Sequence, residues 1–447
     1  MPEIGAALRR GLRGLVRGER TAFAFLQTVF SQAFITLVNL ATGVFLARML
    51  GPEGRGAYAA ITFWPLVLAT MALAGLPYAQ VYRTKGHPER AGAVLGATLV
   101  LGLGLSALGV LVGLALLPWL MGRNYDPQTV LAAQVMVMAA TPVMLIAMVL
   151  KNSFSALGQY RLANTANQAD VLLYLLLLLV AAAALPMTPE LAAGCMFAGA
   201  VLVLGLLLVW QWRLGRPHWR GAGREARPLV SFALRAAPNA VLANLALSLD
   251  RMVLVTMVSQ ADFGLYVVAF GLSRLVMVVQ QAVASVGFPA MAGRDEASTK
   301  AMHDRLFRVI LYAMFGMVAG GWVLGGLALR LLYGPEFAAA AGIFHILLIG
   351  AAISCLCQVP MQLFLCLGRP GFTSTVQAVS FAATALALVV LVPWLGAIGA
   401  AYAVLAGGLV RLTGLLLGMR RTLGLPLPAL LPSAADIALL RRGLQGA

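Results

Sequence analysis

The chain has 447 residues, 61% hydrophobic and only 11% charged, with a formal net charge of +17 and a mean hydropathy of +0.91. Soluble domains carry about 25% charged residues, so the composition excludes a soluble enzyme and describes a polytopic membrane protein. The basic excess sits between apolar runs, where it reports membrane orientation and not nucleic-acid binding.

Arg9, Arg10, Arg13, Arg17 and Arg20 precede an apolar run that extends to Leu50. That run is far longer than a signal-peptide core of about 7–15 residues, so it reads as an uncleaved first span. Residues 4–16 alternate apolar and Arg positions and suit a short helix on an anionic leaflet. Twelve spans are predicted, at 21–50, 57–81, 91–121, 129–150, 162–185, 191–212, 229–258, 263–290, 306–332, 338–365, 372–395 and 398–419. The expected fold class is an all-α membrane protein of two six-helix lobes. Its divisions are a basic N-terminal segment (1–20), a first lobe (21–212), an Arg-rich linker (213–228), a second lobe (229–421) and a tail (422–447).

The connecting segments alternate in charge. One side holds 23 basic residues, including Arg83, Lys85, Arg90, Lys151, Arg161, Arg294 and the cluster 213–227; the other holds Arg55, Arg123 and Arg330. Basic residues resist translocation, so the first set and both termini are expected in the cytoplasm. The halves also repeat. Gly56-Ala57-Tyr58 recurs as Gly264-Leu265-Tyr266, Leu120-Met121-Gly122 as Leu332-Tyr333-Gly334, and Leu157-Gly158-Gln159 as Leu367-Gly368-Arg369, at offsets of 208, 212 and 210 residues. Six spans per half make the repeats parallel, related by an axis along the membrane normal.

The seventh and eighth spans carry charge where a bilayer disfavours it. They are joined by the turn Ser259-Gln260-Ala261-Asp262 and hold Asp250-Arg251 and Arg274. A charge at the centre of a membrane helix costs about 2.5–3.5 kcal/mol on insertion scales, so each must be compensated or used. Neighbours on a helix point about 100° apart, so Asp250 and Arg251 are not expected to pair fully. Asp250 lies eleven residues before Ala261 and Arg274 thirteen after it, which predicts that they face each other or a shared polar cavity. That leaves two readings open, an ion pair locking the hairpin or a site for substrate or ion.

Cys195, Cys355, Cys357 and Cys366 fall inside apolar spans and read as packing residues, with no disulfide framework or metal site. His87, His218, His303 and His345 are scattered, and His345 reads as a satisfied core residue. No metal-ligand spacing or phosphate loop occurs, so no cofactor is expected, and the drive must be something other than ATP hydrolysed by this chain, such as a H+ or Na+ gradient. Ion coupling inside a membrane uses a protonatable carboxylate, for which Asp250 and Asp170 are the candidates. Asp170 reads alternatively as a helix-end residue solvated by water, and Arg411 as snorkelling or pairing locally.

The first span ends in Leu46-Ala-Arg-Met-Leu-Gly51-Pro-Glu-Gly54-Arg-Gly56-Ala-Tyr58. Later come Leu249-Asp250-Arg251 and Gly264-Leu-Tyr266-Val-Val-Ala269. With the two six-span halves, these resemble the bacterial polysaccharide and O-antigen flippases, of the superfamily that also holds the multidrug and toxin extrusion pumps and the lipid II flippase. The resemblance implies a V-shaped transporter in the bacterial inner membrane. It would move an undecaprenyl-pyrophosphate-linked glycan between leaflets by alternating access, with the polyprenyl tail left among membrane lipids. A polysaccharide polymerase and a chain-length regulator are the implied partners. On that basis Arg274 and Arg251, with Arg235 near the cytoplasmic mouth, are expected pyrophosphate ligands, since Arg offers a charged planar fork. Asn164 and Asn167, with Gln168, would bind sugar hydroxyls or join helices. A drug exporter of the same fold, a lipid II flippase and a membrane enzyme acting on polyprenyl-linked sugars are the competing readings. The short outer loops disfavour the enzyme.

Overall fold

The computed structural model describes residues 2–428 and 430, apart from 216–220, 277, 281–290 and 292–294; residues 2–30, Asn239 and Glu296 are described by backbone alone. The side chains of the five N-terminal arginines, and Arg216, Arg220, Arg294, Arg441 and Arg442, therefore fall outside the described set, as do most of the last turns of the expected eighth span.

Among the described residues the chain is helical, without a strand. Hydrocarbon offers the backbone no hydrogen-bond partner, so an apolar chain satisfies its amides within helices. Among the described residues nine helical stretches are long and apolar enough to cross a membrane. Two of them are too long to cross once. In α1 (Pro2–Leu73) the apolar part from Ser31 runs 43 residues. That is about 65 Å of straight helix, twice the roughly 30 Å hydrocarbon layer. The chain turns back at Gly51, whose φ of 65° and ψ of −178° leave helical geometry just before Pro52. At the other end α11 (Pro370–Thr422) repeats the device at Gly396, with φ 57° and ψ −133°.

Between these lie α2 (Leu76–Gly86), α3 (Ala91–Met121), α4 (Pro127–Ala156), α5 (Tyr160–Ala184), α6 (Pro189–Leu214), α7 (Ala222–Met257), α8 (Gln260–Ser273), α9 (Glu296–Ala328) and α10 (Ala341–Cys366). Two lobes result, with α1–α6 in the first and α7–α11 in the second. The second expected span is not continuous. It breaks at Gly75, left-handed at φ 76°, before α2 restarts with Pro77 in its first turn. The repeat is visible in backbone detail. Gln159 N donates to Phe154 O at 2.8 Å across left-handed Gly158, and Arg369 N donates to Phe364 O at 2.8 Å across left-handed Gly368.

At the end opposite the Arg-rich linker the lobes touch backbone to backbone. A Cβ at Gly56 would lie 1.8 Å from the Gln260 carbonyl oxygen, and one at Gly264 would lie 2.0 Å from the Pro52 oxygen. Adding 208 to 52 and 56 gives 260 and 264, so the contacts are reciprocal and the crossing sits on the axis relating the lobes. Polar bonds surround it. Arg48 Nε donates to Leu332 O at 2.7 Å and Nη2 to Leu331 O. Asn124 Nδ2 donates to Thr256 O at 2.7 Å, and Gln260 Nε2 to Asp126 Oδ1 at 3.1 Å.

At the Arg-rich end the first turns of α7 pack on the first lobe. Gly75 faces the Ala233 carbonyl, where a Cβ would lie 2.5 Å away, and the Tyr82 and Phe232 rings stack at 4.9 Å. Glu225 is buried there between two arginines, 2.6 Å from Arg83 Nη2 and 3.4 Å from Arg90 Nη1. Burial alone would raise its carboxyl, but the hydrogen bonds and charge of Arg83, then Arg90, outweigh it and hold the group below the ordinary glutamate range. A carboxyl depressed on folding stabilises above its unfolded value, and that contribution is lost as pH falls through the folded one. Glu225→Gln is therefore expected to lower the thermal midpoint by a few degrees at pH 7. The gap from wild type should close as the pH falls well below 4, read by thermal unfolding of the purified protein.

Candidate functional site

Two cavities meet at the break in the eighth span. α8 stops at Ser273, and Arg274 is its C-cap, with its N–H bonded to Phe270 O at 3.1 Å. The unbroken helix expected from 263 to 290 is thus interrupted at its charged residue. On one side a cleft of about 330 Å³ lies between α1 and α8, lined by Gln32, Thr36, Asn39, Arg55, Gly271 and Arg274 among others. On the other a chamber of about 460 Å³ inside the second lobe is lined by Asp250, Arg274, Gln358, Gln377 and Arg411 among others. Arg274 lines both.

The Arg274 side chain makes no hydrogen bond or ion pair among the described residues. Its guanidinium lies over the Phe270 ring at 5.2 Å, which leaves its donors facing the cavities. Arg55 shares the cleft. Its Nε and Nη1 are buried without a hydrogen-bond partner, and its guanidinium lies 5.1 Å from the centroid of the Tyr58 ring. Tyr58 is fixed in turn by a bond from the Tyr174 hydroxyl at 2.5 Å. Among the described residues no carboxylate lines the cleft, so it presents two guanidinium groups without a described counter-ion.

Asp250 and Arg274 line one chamber, but the ion pair considered between them is absent. The Tyr266 hydroxyl donates to Asp250 Oδ2 at 2.6 Å, and Arg251 Nε approaches Asp250 Oδ1 at 3.8 Å. Adjacent residues thus make the contact that helix geometry disfavours, at a length that marks it as weak. Of the two expected arrangements the shared polar cavity is the one observed, because counting from the turn gives depth but not rotation about the axis, and Tyr266 occupies the position of an ion-pair partner. The double exchange Asp250→Arg with Arg274→Asp is accordingly expected to leave transport at the level of Arg274→Asp alone, measured by complementation.

Arg251 is tied into the protein. Its Nη2 donates to Leu247 O at 2.5 Å, and its guanidinium lies over Phe270 at 4.7 Å and over Phe63 of the first lobe at 5.6 Å. It bridges lobes and lines neither cavity. Arg235 is also away from both, bonded to Ser231 O at 3.1 Å on a groove along the outer face of α7. Asp170 forms an ion pair with Lys151 between α4 and α5, in place of the free or water-solvated carboxylate expected. Asn167 is exposed and Asn164 partly buried, and neither lines the cleft or the chamber. His345 stacks on Trp322 at 4.4 Å with Nε2 buried and unbonded, so its packing, and not hydrogen bonding, is what is satisfied.

Two residues that line the cavities, Arg55 and Arg411, are not assigned to a site by the sequence. Arg55 had been counted as a loop cation, but only Gly51 leaves the helix there, so Arg55 sits in the first turns of the returning arm. Arg411 does not snorkel: Nη1 bonds Gln377 Oε1 at 3.4 Å and Nη2 bonds Ser354 O at 3.3 Å, which holds it in the chamber.

The family model described as "Polysaccharide biosynthesis protein" matches residues 45–342. No curated protein matches the sequence. Among solved structures the chain is similar to the lipid II flippase MurJ in its inward closed conformation, at TM-score 0.73 and 12% identity, over 88% of this chain and 87% of that one. It is also similar to an inward-facing multidrug resistance MATE transporter of the MOP superfamily, at TM-score 0.70 and 17% identity over 87% and 95%. A MOP superfamily transporter from Pyrococcus furiosus, described as having reversed polarity of its binding pocket, matches at 0.62 and 16% over 89% and 94%. These likenesses place the chain in the V-shaped fold of that superfamily.

Proposed function

The chain belongs to the polysaccharide biosynthesis protein family, and from that premise we propose that it is a flippase for a polyprenyl-pyrophosphate-linked oligosaccharide. It acts in the bacterial inner membrane, with its Arg-rich end and both termini in the cytoplasm. The observation that carries this reading is the cleft itself, which no described carboxylate lines and where Arg274 and Arg55 present guanidinium groups without a described ion-pair partner. A pyrophosphate supplies the missing charge, and a guanidinium fork matches phosphate oxygens in pairs. The gap between α1 and α8 lets the polyprenyl tail remain in lipid while the head group enters.

Alternating access then consists of opening the lobes at one end while the other stays shut. The glycine crossing shuts the outer end in the state described above, and the cleft waits for cargo from the inner leaflet. Asp250, held by Tyr266, is the carboxylate placed to couple a H+ or Na+ gradient to that motion, and a polymerase would consume the delivered glycan. A cationic drug is disfavoured as cargo, since a cleft with two arginines and no acid repels it.

Deletion in the native host followed by extraction of lipid-linked sugars tests the reading. Accumulation of an undecaprenyl-linked oligosaccharide with loss of surface polysaccharide is expected. Unchanged glycans with raised dye sensitivity would instead identify a drug exporter.

A further inference from the structure

The second-lobe chamber is built differently from its counterpart in the first lobe. Shifting by the 210-residue repeat offset sets Ser354 and Gln358 of α10 against Met144 and Met148 of α4, and Gln377 and Thr384 of α11 against Asn167 and Tyr174 of α5. On α10 hydrogen-bonding side chains thus replace methionines, while on α11 Gln377 lines the chamber where its counterpart Asn167 lines neither cavity and Tyr174 is bonded to Tyr58. Ser354, Gln358, Gln377 and Thr384 all line the chamber, beside Arg274.

Arg411 orients part of this lining. It donates to Gln377 Oε1 at 3.4 Å, which uses the carbonyl of that amide and leaves its two N–H donors for a ligand. Gln358 makes no hydrogen bond among the described residues and keeps both its carbonyl and its N–H groups available. An amide offers a donor and an acceptor in one plane, the pair that vicinal hydroxyls of a pyranose can meet together. The chamber volume of about 460 Å³ lies within the range of small-molecule sites.

We infer that this chamber is the sugar subsite of the transporter. Gln358 and Gln377 read the hydroxyls of the sugar next to the pyrophosphate, and Arg411 acts as the positioning residue for Gln377. The inference rests on the flippase reading above, because Arg274 joins chamber to cleft and would hold the pyrophosphate at the boundary. Sugar preference then belongs to the second lobe alone, and the family's shared fold can serve different glycans by changing a few amides on α10 and α11.

The test uses the full-length protein in lipid nanodiscs with two kinds of probe. One is farnesyl pyrophosphate, and the others are farnesyl pyrophosphates bearing glucose, galactose or N-acetylglucosamine. At least one glycosylated probe is expected to bind about tenfold more tightly than the bare one, the effect of one or two retained hydrogen bonds. In the Gln358→Leu, Gln377→Leu double variant, checked for folding by its unfolding temperature, that ratio is expected to fall to about one. The conservative variant Arg411→Lys, which keeps the charge but not the fork, is expected to lower the ratio part of the way. Equal binding of bare and glycosylated probes by the wild type, or a ratio that survives in the double variant, overturns the sugar subsite. Failure of the wild type to bind even the bare probe overturns instead the flippase reading on which it rests.

Discussion

Arg274→Ala is expected to abolish glycan export while the protein still inserts in the membrane. The separation of those outcomes follows from what the side chain touches. A guanidinium kept for structure has an acid or a set of carbonyls around it, as Arg83 has Glu225 and Arg48 has the carbonyls of Leu331 and Leu332. Among the described residues Arg274 has the face of Phe270 and no acid or carbonyl bonded to its guanidinium. Removing it leaves no orphaned acid, and it removes a charge that costs about 2.5–3.5 kcal/mol at bilayer depth, so folding should be little affected. What is lost is one or two charge-assisted bonds to cargo, each about 1.5–3 kcal/mol, equivalent to roughly one to four orders of magnitude in binding. Complementation of a deletion strain, scored by surface polysaccharide against membrane-inserted protein, measures this. Arg274→Lys should restore part of the export. Full export by the alanine variant would remove Arg274 from the site.

The second large effect is expected at the lobe crossing. Gly264→Ala should prevent closure of the end opposite the Arg-rich linker and stop transport. The new methyl would meet the Pro52 carbonyl oxygen at 2.0 Å, and a backbone atom cannot rotate away as a side chain would. Relief requires α8 to move off α1, which opens the gate that Arg48, Asn124 and Gln260 otherwise hold shut. Overpacking of this kind costs typically about 1–3 kcal/mol, enough to invert a two-state equilibrium of similar size. Gly56→Ala should act alike, since its methyl would lie 1.8 Å from the Gln260 oxygen. The readout is labelling by a membrane-impermeant maleimide of a cysteine at position 273, which lines the chamber, with the native cysteines replaced. Labelling from outside is expected to rise several-fold in either variant. It should not rise in Gly194→Ala, where a methyl meets nothing within 4 Å. Unchanged labelling and transport in Gly264→Ala would refute the gate.

The architecture was legible because a bilayer permits so few solutions. Apolar runs, Arg asymmetry and the offset between Gly56 and Gly264 each follow from composition along the chain, and they led to the spans, the lobes and the axis between them. The unbroken second and eighth spans were the exception. A lone glycine such as Gly75 inside an apolar run does not announce a break when the cause is the close approach of Ala233, far away in sequence.

The site was legible only where one residue carried the signal. Arg274 stood out as a charge in a greasy helix, and the structure leaves it between two cavities without an ion-pair partner among the described residues. Partners were not legible. That Asp250 and Arg274 share a cavity followed from their depth, but that Tyr266 and not Arg274 bonds Asp250 depends on rotation about the helix axis, which packing sets and counting residues from a turn does not contain. Arg411 looked like a local anchor because its partners lie 34 and 57 residues away, Gln377 on the other arm of α11 before the Gly396 turn and Ser354 on α10. Arg55 looked like a loop residue because one glycine replaces the loop.

In the proposed transport, guanidinium groups without a described ion-pair partner in the cleft between the lobes carry an anionic, lipid-tailed glycan across the bilayer. Purified protein in vesicles containing undecaprenyl-pyrophosphate-linked trisaccharide tests it, with an added glycosidase reporting how much glycan reaches the outer leaflet over time. Wild-type vesicles are expected to expose glycan at least tenfold faster than protein-free ones, and Arg274→Ala vesicles at the protein-free rate. Equal rates in wild-type and protein-free vesicles would contradict the account.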